Sequence, residues 1–264
     1  MASVSAEFFA GIEAKSFFID VVMRVIYEDN HIIIVNKASG EIVQGDKTGD
    51  RPLSEDVKDY IKMAYAKPGN VFLGVTHRLD RPVSGLVIFA RTSKGLSRMN
   101  DLFRRGEVHK TYLAIVQSAP PKEYDELKGW IVRNEKQNKS YCYQHEVKDA
   151  KEARLRYRLV AKTDRYYLLA VQLLTGRHHQ IRCQLSAMGC PIKGDLKYGA
   201  RRSNPDGSIC LHAWQVNFEH PVSHQMVSVK ADLPDDVLWQ SLKGCELLKA
   251  DARDLFPSDG EAVR

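Results

Sequence analysis

The run His77-Arg78-Leu79-Asp80-Arg81-Pro82-Val83-Ser84-Gly85 sets one carboxylate between two arginines, ahead of the apolar stretch Leu86-Val87-Ile88-Phe89-Ala90. Pro82 fixes its own φ and disfavours helical angles at Arg81, so Asp80 is expected on a defined loop before a strand. A carboxylate held by neighbouring guanidiniums stays ionised and suits chemistry on an anionic substrate. The plainer alternative is a surface turn with a local ion pair, and the loop's own residues do not choose between the two. Two further stretches carry reactive side-chain types: Lys110-Thr111-Tyr112-Leu113-Ala114 and Thr175-Gly176-Arg177-His178-His179-Gln180-Ile181-Arg182. Taken singly, Tyr112 reads as a core tyrosine of a strand and Arg182 as a solvated helix arginine.

The whole chain narrows the setting. Its 264 residues suffice for one large domain with a substantial core. An apolar fraction of 44% and a charged fraction of 27% are those of an ordinary globular protein. The net charge of +6 is moderate and compatible with a nucleic-acid partner. The five cysteines are odd in number and form no Cys-x-x-Cys pair, which argues against a disulfide framework or a zinc site. No apolar run approaches the roughly 20 residues of a membrane span, and the first residues lack a basic leader with a long apolar core. A cytoplasmic location with no membrane partner is the expectation.

The elements that must position these residues follow from periodicity. Residues 5–20 are compatible with a short amphipathic helix or a loosely attached extension. Strands are expected at Val25–Tyr27 and Ile32–Val35, the latter ending at Asn36-Lys37. Lys37 there either reaches into a cleft or is solvated. A helix capped by Ser54 should run to Ala66, and a second, capped by Thr92-Ser93, to Arg105, with Gly106 ending it. Lys94, Arg98, Arg104 and Arg105 form a basic face on that second helix, solvated or facing phosphates.

Further strands are expected at Lys110–Val116, Ala153–Val160, Tyr166–Leu174, Ile209–Phe218 and Met226–Ala231. The polar segment Arg133–Glu146, with Lys136, Lys139, Tyr141, Tyr143 and His145 interleaved, reads as a mobile hairpin or an RNA-facing loop. A helix opening in the Thr175–Arg182 stretch and closed by Gly189 would put His178, Arg182 and Ser186 on one face. Strands and helices without regular βαβ spacing favour a mixed α+β architecture. The division expected is an extension over 1–22, a catalytic body over 23–249 and a polar tail over 250–264.

Taken together in order, the three motifs resemble the hallmark motifs of the RluA-type pseudouridine synthases. Gly194-Asp195…Tyr198-Gly199, His212 and His220-Pro221 are similar to the same family, and the resemblance spans about Val25 to Asp235. It implies a mostly antiparallel central sheet with flanking helices and an active-site cleft, and an isomerase that converts uridines of structured ribosomal or transfer RNA to pseudouridine. It makes Asp80 the catalytic carboxylate, Tyr112 the residue stacking on the base, and Arg182 the ion-pair partner of Asp80. Ile181 would wall the uracil pocket and Arg78 would fill the gap left by a flipped base.

Elementary chemistry agrees with these roles. The isomerisation breaks a glycosidic bond and rejoins the ring through carbon with nothing oxidised or added, so no metal or other cofactor is expected. A buried base costs a few kcal/mol to flip and leaves a vacancy. An ionised Asp80 in a pocket needs a partner such as the fork of Arg182. Val83, Gln184 and Ala38 depart from residues common in the family, which bears on substrate preference. The extra RNA-binding module of many relatives is not expected, so substrate choice falls to the catalytic body, with the Arg133–Glu146 segment a candidate. His77 is expected to be structural, His178 and His179 carry no assignment, and nothing demands more than a monomer. An RNA-binding module without catalysis would not need Asp80, Tyr112 and Arg182 together. A kinase reading of His-Arg-Leu-Asp fails for want of a glycine-rich loop and an Asp-Phe-Gly segment.

Overall fold

The computed structural model describes residues 24–256. The expected extension over 1–22 and the end of the expected tail lie outside the described residues. Among the described residues, eleven strands form one sheet. They are β1 (Arg24–Glu28), β2 (Ile32–Lys37), β3 (Gly74–Val75), β4 (Ser84–Ala90), β5 (His109–Val116), β6 (Tyr124–Asn134), β7 (Lys139–Tyr143), β8 (Lys151–Lys162), β9 (Tyr167–Leu173), β10 (Leu211–Glu219) and β11 (Met226–Lys230). The order is β1-β2-β4-β10-β5-β9-β8-β6-β7, with β11 beside β10 and β3 beside β4. Among the described residues four α-helices accompany them: α1 (Leu53–Ala64), α2 (Ser93–Arg105), α3 (Gln180–Ala187) and α4 (Val237–Leu242). Among the described residues, no helix is long and apolar enough to cross a membrane. The mixed, mostly antiparallel α+β architecture expected from the sequence is the one observed.

Both faces of the sheet are covered where β2 and β4 lie, which is why these strands are continuous apolar runs. Ile33, Val35, Val87 and Phe89 pack with Val57 and Ile61 of α1 on one face. Ile32, Ile34, Leu86 and Ile88 pack with Met99 and Leu102 of α2 on the other. Each such side chain stabilises the fold by about 1.5–3 kcal/mol relative to exposure.

The centre of the sheet is forked. β4 and β10 run parallel and touch only at His212–Ser84 and Ala213–Gly85. Beyond that contact β4 turns to β3 and β10 to β11. Gly85 makes the contact possible: its φ is +114°, and a Cβ there would lie 2.3 Å from the Ala213 carbonyl oxygen. Gly85→Ala therefore combines backbone strain with a backbone clash and is expected to cost about 3 kcal/mol or more, measured by chemical unfolding. A loss below about 1 kcal/mol would show that the fork closes without glycine.

The boundaries differ from expectation for local reasons. Thr92 caps α2 by accepting from Gly95 N–H at 3.0 Å, and Gly106 ends the helix with φ +77°, as expected. Ser54 does not cap α1: the helix starts at Leu53, and the amides of Leu53 and Ser54 donate to the carbonyls of Ile42 and Val43. With tertiary partners at that end, no side-chain cap is needed. β6 was not expected, because its charged and half-buried residues lack a clean alternation. It pairs with β7 to make residues 133–143 an ordered hairpin. The expected loose tail is instead packed down through residue 256, with Ala252, Leu255 and Phe256 in the core.

Candidate active site

The Asp80 loop is fixed through its backbone. Val83 N–H donates to the Asp80 carbonyl at 3.0 Å and closes the turn around Pro82. The Arg81 carbonyl accepts from Gly40 N–H at 2.8 Å and from Lys37 Nζ at 3.2 Å, and the Pro82 carbonyl accepts from Ile209 N–H at 3.1 Å. Lys37 is not solvated: it is buried at the edge of a second cavity, lined also by Asn36, Ser84 and His212, and donates to the Ala38 carbonyl at 2.7 Å. Burial pushes its pKa down to about 8, with Glu41 and Asp80 opposing.

The flanking arginines are not the partners of Asp80. Arg81 pairs with Asp50 at 2.6 Å, and Arg78 is exposed with no hydrogen bond or ion pair among the described residues. Asp80 Oδ2 instead accepts from Arg182 Nη1 at 2.9 Å and lies 3.3 Å from His179 Nε2. The rest of the Arg182 guanidinium is held two-pronged by Asp195: Nε donates to Oδ2 at 2.7 Å and Nη2 to Oδ1 at 2.9 Å. The ring of Tyr198 lies 5.0 Å from the same guanidinium. Burial opposes the Arg182 charge, but Asp195 and then Asp80 outweigh it and raise its pKa further. A planar cation thus bridges a buried carboxylate and a part-exposed one, a geometry suited to arginine and not to lysine.

A cavity of about 90 Å³ opens above this carboxylate, lined by Leu79, Val83, Tyr112, Ile181 and Leu211. Tyr112 projects from the central strand β5, where it pairs with Ala213 and Val171. Burial and then the Asp80 charge push its phenol pKa well up, so it stays protonated and offers a ring face and a hydroxyl, not a phenolate. Arg78 and Arg177 stand at the rim. All five sequence-named residues (Asp80, Tyr112, Arg182, Arg78 and Ile181) line this one cavity. Their arrangement presents a carboxylate to a small cavity walled by Leu79, Val83, Tyr112, Ile181 and Leu211 and bordered by the cations Arg78 and Arg177.

The approach to α3 differs from the expected helix. Residues 175–179 are a turn held by Gln180, whose Oε1 accepts from Thr175 Oγ1 at 2.8 Å and Arg177 N–H at 2.9 Å. His179 takes a left-handed φ of +51°, and the helix begins only at Gln180. His178 therefore shares no helical face with Arg182 and Ser186. It bonds Ser140 Oγ at 2.8 Å, on the β6–β7 hairpin.

A family model described as RNA pseudouridylate synthase matches residues 31–187, a span containing Asp80, Tyr112 and Arg182. The chain belongs to this family. The RluA-type resemblance is borne out by relatives such as the ribosomal large subunit pseudouridine synthase D of Nitrosomonas europaea, 30% identical over 82% of this chain. The chain spans 64% of that relative's length. It is also 30% identical to the tRNA pseudouridine synthase C of Vibrio cholerae, over 84% of this chain and 94% of the relative. Among solved structures, human RNA pseudouridylate synthase domain containing 4 superposes with a TM-score of 0.72, at 22% identity, over 89% of this chain and 97% of that one. That likeness shows that the pseudouridine synthase fold is shared.

Sequence reasoning left several residues around this cavity without a role. Asp195 holds Arg182, His179 lies 3.3 Å from Asp80, and Lys37 braces the loop, yet only tertiary folding brings them together. His77 is structural as expected: its Nε2 accepts from Ile88 N–H at 3.0 Å, and burial pushes its pKa down to about 3. The basic face of α2 does not line the cavity. Arg98 donates to the Pro221 carbonyl, and Arg104 and Arg105 pair with Asp101 and Glu107.

Proposed function

We propose that this chain is an RNA pseudouridine synthase acting on a uridine of ribosomal or transfer RNA, with Asp80 as the reacting carboxylate. The observation that carries the reading is the single cavity in which Asp80, oriented by Arg182, faces the Tyr112 ring and the Ile181 side chain under an unpaired Arg78. The names of the relatives support the substrate class.

In this reading a uridine swings out of its stack, Arg78 enters the vacancy, and the base slides between Tyr112 and the apolar wall. The bond from the sugar C1′ to N1 breaks and the ring rejoins through C5. C5 gives up its proton and N1 gains one, so the net change is an isomerisation. Asp80 attacks the sugar, attacks the ring or removes a sugar proton; each route needs one free carboxylate oxygen beside the base. Tyr112, kept as a phenol, serves as a stacking face and a proton donor. All the groups come from one chain, which supports activity as a monomer, and a cytoplasmic location belongs to the same proposal.

The test is release of tritium to water from ribosomal or transfer RNA labelled at uridine C5, combined with mapping of pseudouridines in cells with and without the protein. If neither RNA class releases tritium, the reading is wrong.

The β6–β7 hairpin supports a role in choosing the RNA. Tyr141 and Tyr143 are exposed on it, while Ser140 and Asn138 join it to His178 beside the cavity. Combining Lys136→Glu, Tyr141→Ala and Tyr143→Ala leaves Ser140 in place and is expected to change which uridines are modified. An unchanged map of modified sites would return the hairpin to a purely structural role.

A further inference from the structure

Lys110 opens β5 beside the catalytic cavity, and its half-buried ammonium makes no hydrogen bond or ion pair among the described residues. Each element packed around it withholds a counter-ion. Nζ lies 5.3 Å from the centre of the Phe103 ring at the end of α2. Its cross-strand neighbours are Leu173 on β9 and Val216 on β10. His77, on the loop before Asp80, feels its charge and is kept neutral by burial. An ammonium drawn out of water without a partner is costly. Burial pushes the Lys110 pKa down to about 8, which leaves it charged at neutral pH.

The strand fixes where this charge stands. Lys110 and Tyr112 are two residues apart on β5, so their side chains leave the same face about 7 Å apart. Tyr112 is shared by the catalytic cavity and by a smaller one that Lys110 and His77 line. Leu173, opposite Lys110, lines the catalytic cavity itself. Gly176, in the turn before α3, is exposed, and a Cβ built on it would meet only Lys110 Nζ, at 4.0 Å. Open space therefore lies between an unpaired ammonium and a bare stretch of backbone, with Arg177 next in the chain and Arg78 at the same rim.

We propose that Lys110 is a phosphate-binding residue: over the open backbone at Gly176 it takes a phosphodiester oxygen of the nucleotide whose base stacks on Tyr112. This deepens the reading of the chain as a pseudouridine synthase and rests on it. A phosphodiester brings a full negative charge and strong acceptors, the two things the ammonium is without. The separation of Lys110 from Tyr112 along β5 is of the order of that between a base and the phosphates of its own nucleotide. The contact is the same before and during the reaction, so it strengthens binding and leaves the chemical step alone.

Lys110→Met keeps the apolar stem and removes the charge. No partner is stranded, so the melting temperature should hold or rise. KM for RNA is expected to increase about 5- to 20-fold with kcat within about threefold. A plot of log affinity against log salt should lose about one from its slope. A phosphate favours the charged lysine, so binding raises its pKa and takes up a proton above about pH 8; affinity of the unsubstituted protein should fall there, and that of Lys110→Met should not. Gly176→Asp leaves Lys110 in place, enters open space at an ordinary φ, and sets a carboxylate beside the ammonium; it should weaken RNA binding at least as much. A lower melting temperature in Lys110→Met would make the residue structural, and an unchanged KM and salt slope would make it a bystander; either overturns the proposal, as does unchanged binding in Gly176→Asp. Uridine 3′,5′-bisphosphate, titrated without turnover, separates this idea from the one beneath it. If it binds, Lys110→Met abolishes the binding and yet no RNA releases tritium, the reading as a synthase fails and the phosphate site stands. If RNA is modified but the bisphosphate binds both proteins equally, or neither, the role of Lys110 alone is defeated.

Discussion

Asp80→Asn is expected to stop pseudouridine formation, lowering turnover at least about 10,000-fold, while affinity for RNA stays within about twofold. The loss corresponds to about 5 kcal/mol of transition-state stabilisation. The amide has the size of the carboxylate, and its remaining oxygen still accepts from Arg182. What disappears is the charge and the nucleophilic oxygen, while the rim residues that would contact phosphates are untouched. Tritium release and filter binding on the same RNA measure the two halves of this expectation. Turnover within tenfold of the unsubstituted protein would sink the assignment, and a parallel collapse of binding would point to a folding defect instead.

The second large effect is at Arg182. Arg182→Met removes a donor from Asp80 and strips Asp195, a buried carboxylate, of both its guanidinium bonds. Breaking a buried pair from one side costs about 3–5 kcal/mol, because the remaining charge is left uncompensated. Both stability and activity should therefore fall, activity by on the order of 1,000-fold. Adding Asp195→Leu removes the stranded charge and should restore most of the stability but none of the activity. Chemical unfolding and tritium release on the single and double variants separate the two roles. If the double variant also regains activity, Arg182 matters only as a partner for Asp195.

These effects sit on residues that were legible to different degrees. Asp80, Tyr112 and Arg182 were readable because three motifs occur together in order, and the cavity gathers all of them. The loop's own residues offered Arg78 and Arg81 as partners of Asp80, whereas the family resemblance pointed to Arg182, which is the partner observed. Adjacent side chains on an extended segment point apart, and the carboxylate meets Arg182, 102 positions away in sequence. Asp195 sits 13 positions past Arg182, across the end of α3, where no periodicity links the two. His179 was opaque because left-handed geometry announces itself through glycine, and here the side chain overrides that preference. The strands flanking Asp80 were clear from their apolar runs, since β2 and β4 are buried on both faces. β6 was not, being half-buried along most of its length. The parallel contact of β4 with β10 depends on Gly85 lying against Ala213, a relation between residues 128 positions apart.

The loop around Asp80 is held by carbonyl groups of Arg81 and Pro82, which accept from Gly40, Lys37 and Ile209. Its path is thus recorded largely in the main chain, and the side chain of Arg78 takes no part in keeping it. A descendant of this chain can change the charge and size of what it offers an incoming ligand at the rim without displacing the carboxylate beneath. Constancy of the reacting group and variability of its surroundings are, in this loop, assigned to different atoms of the same residues.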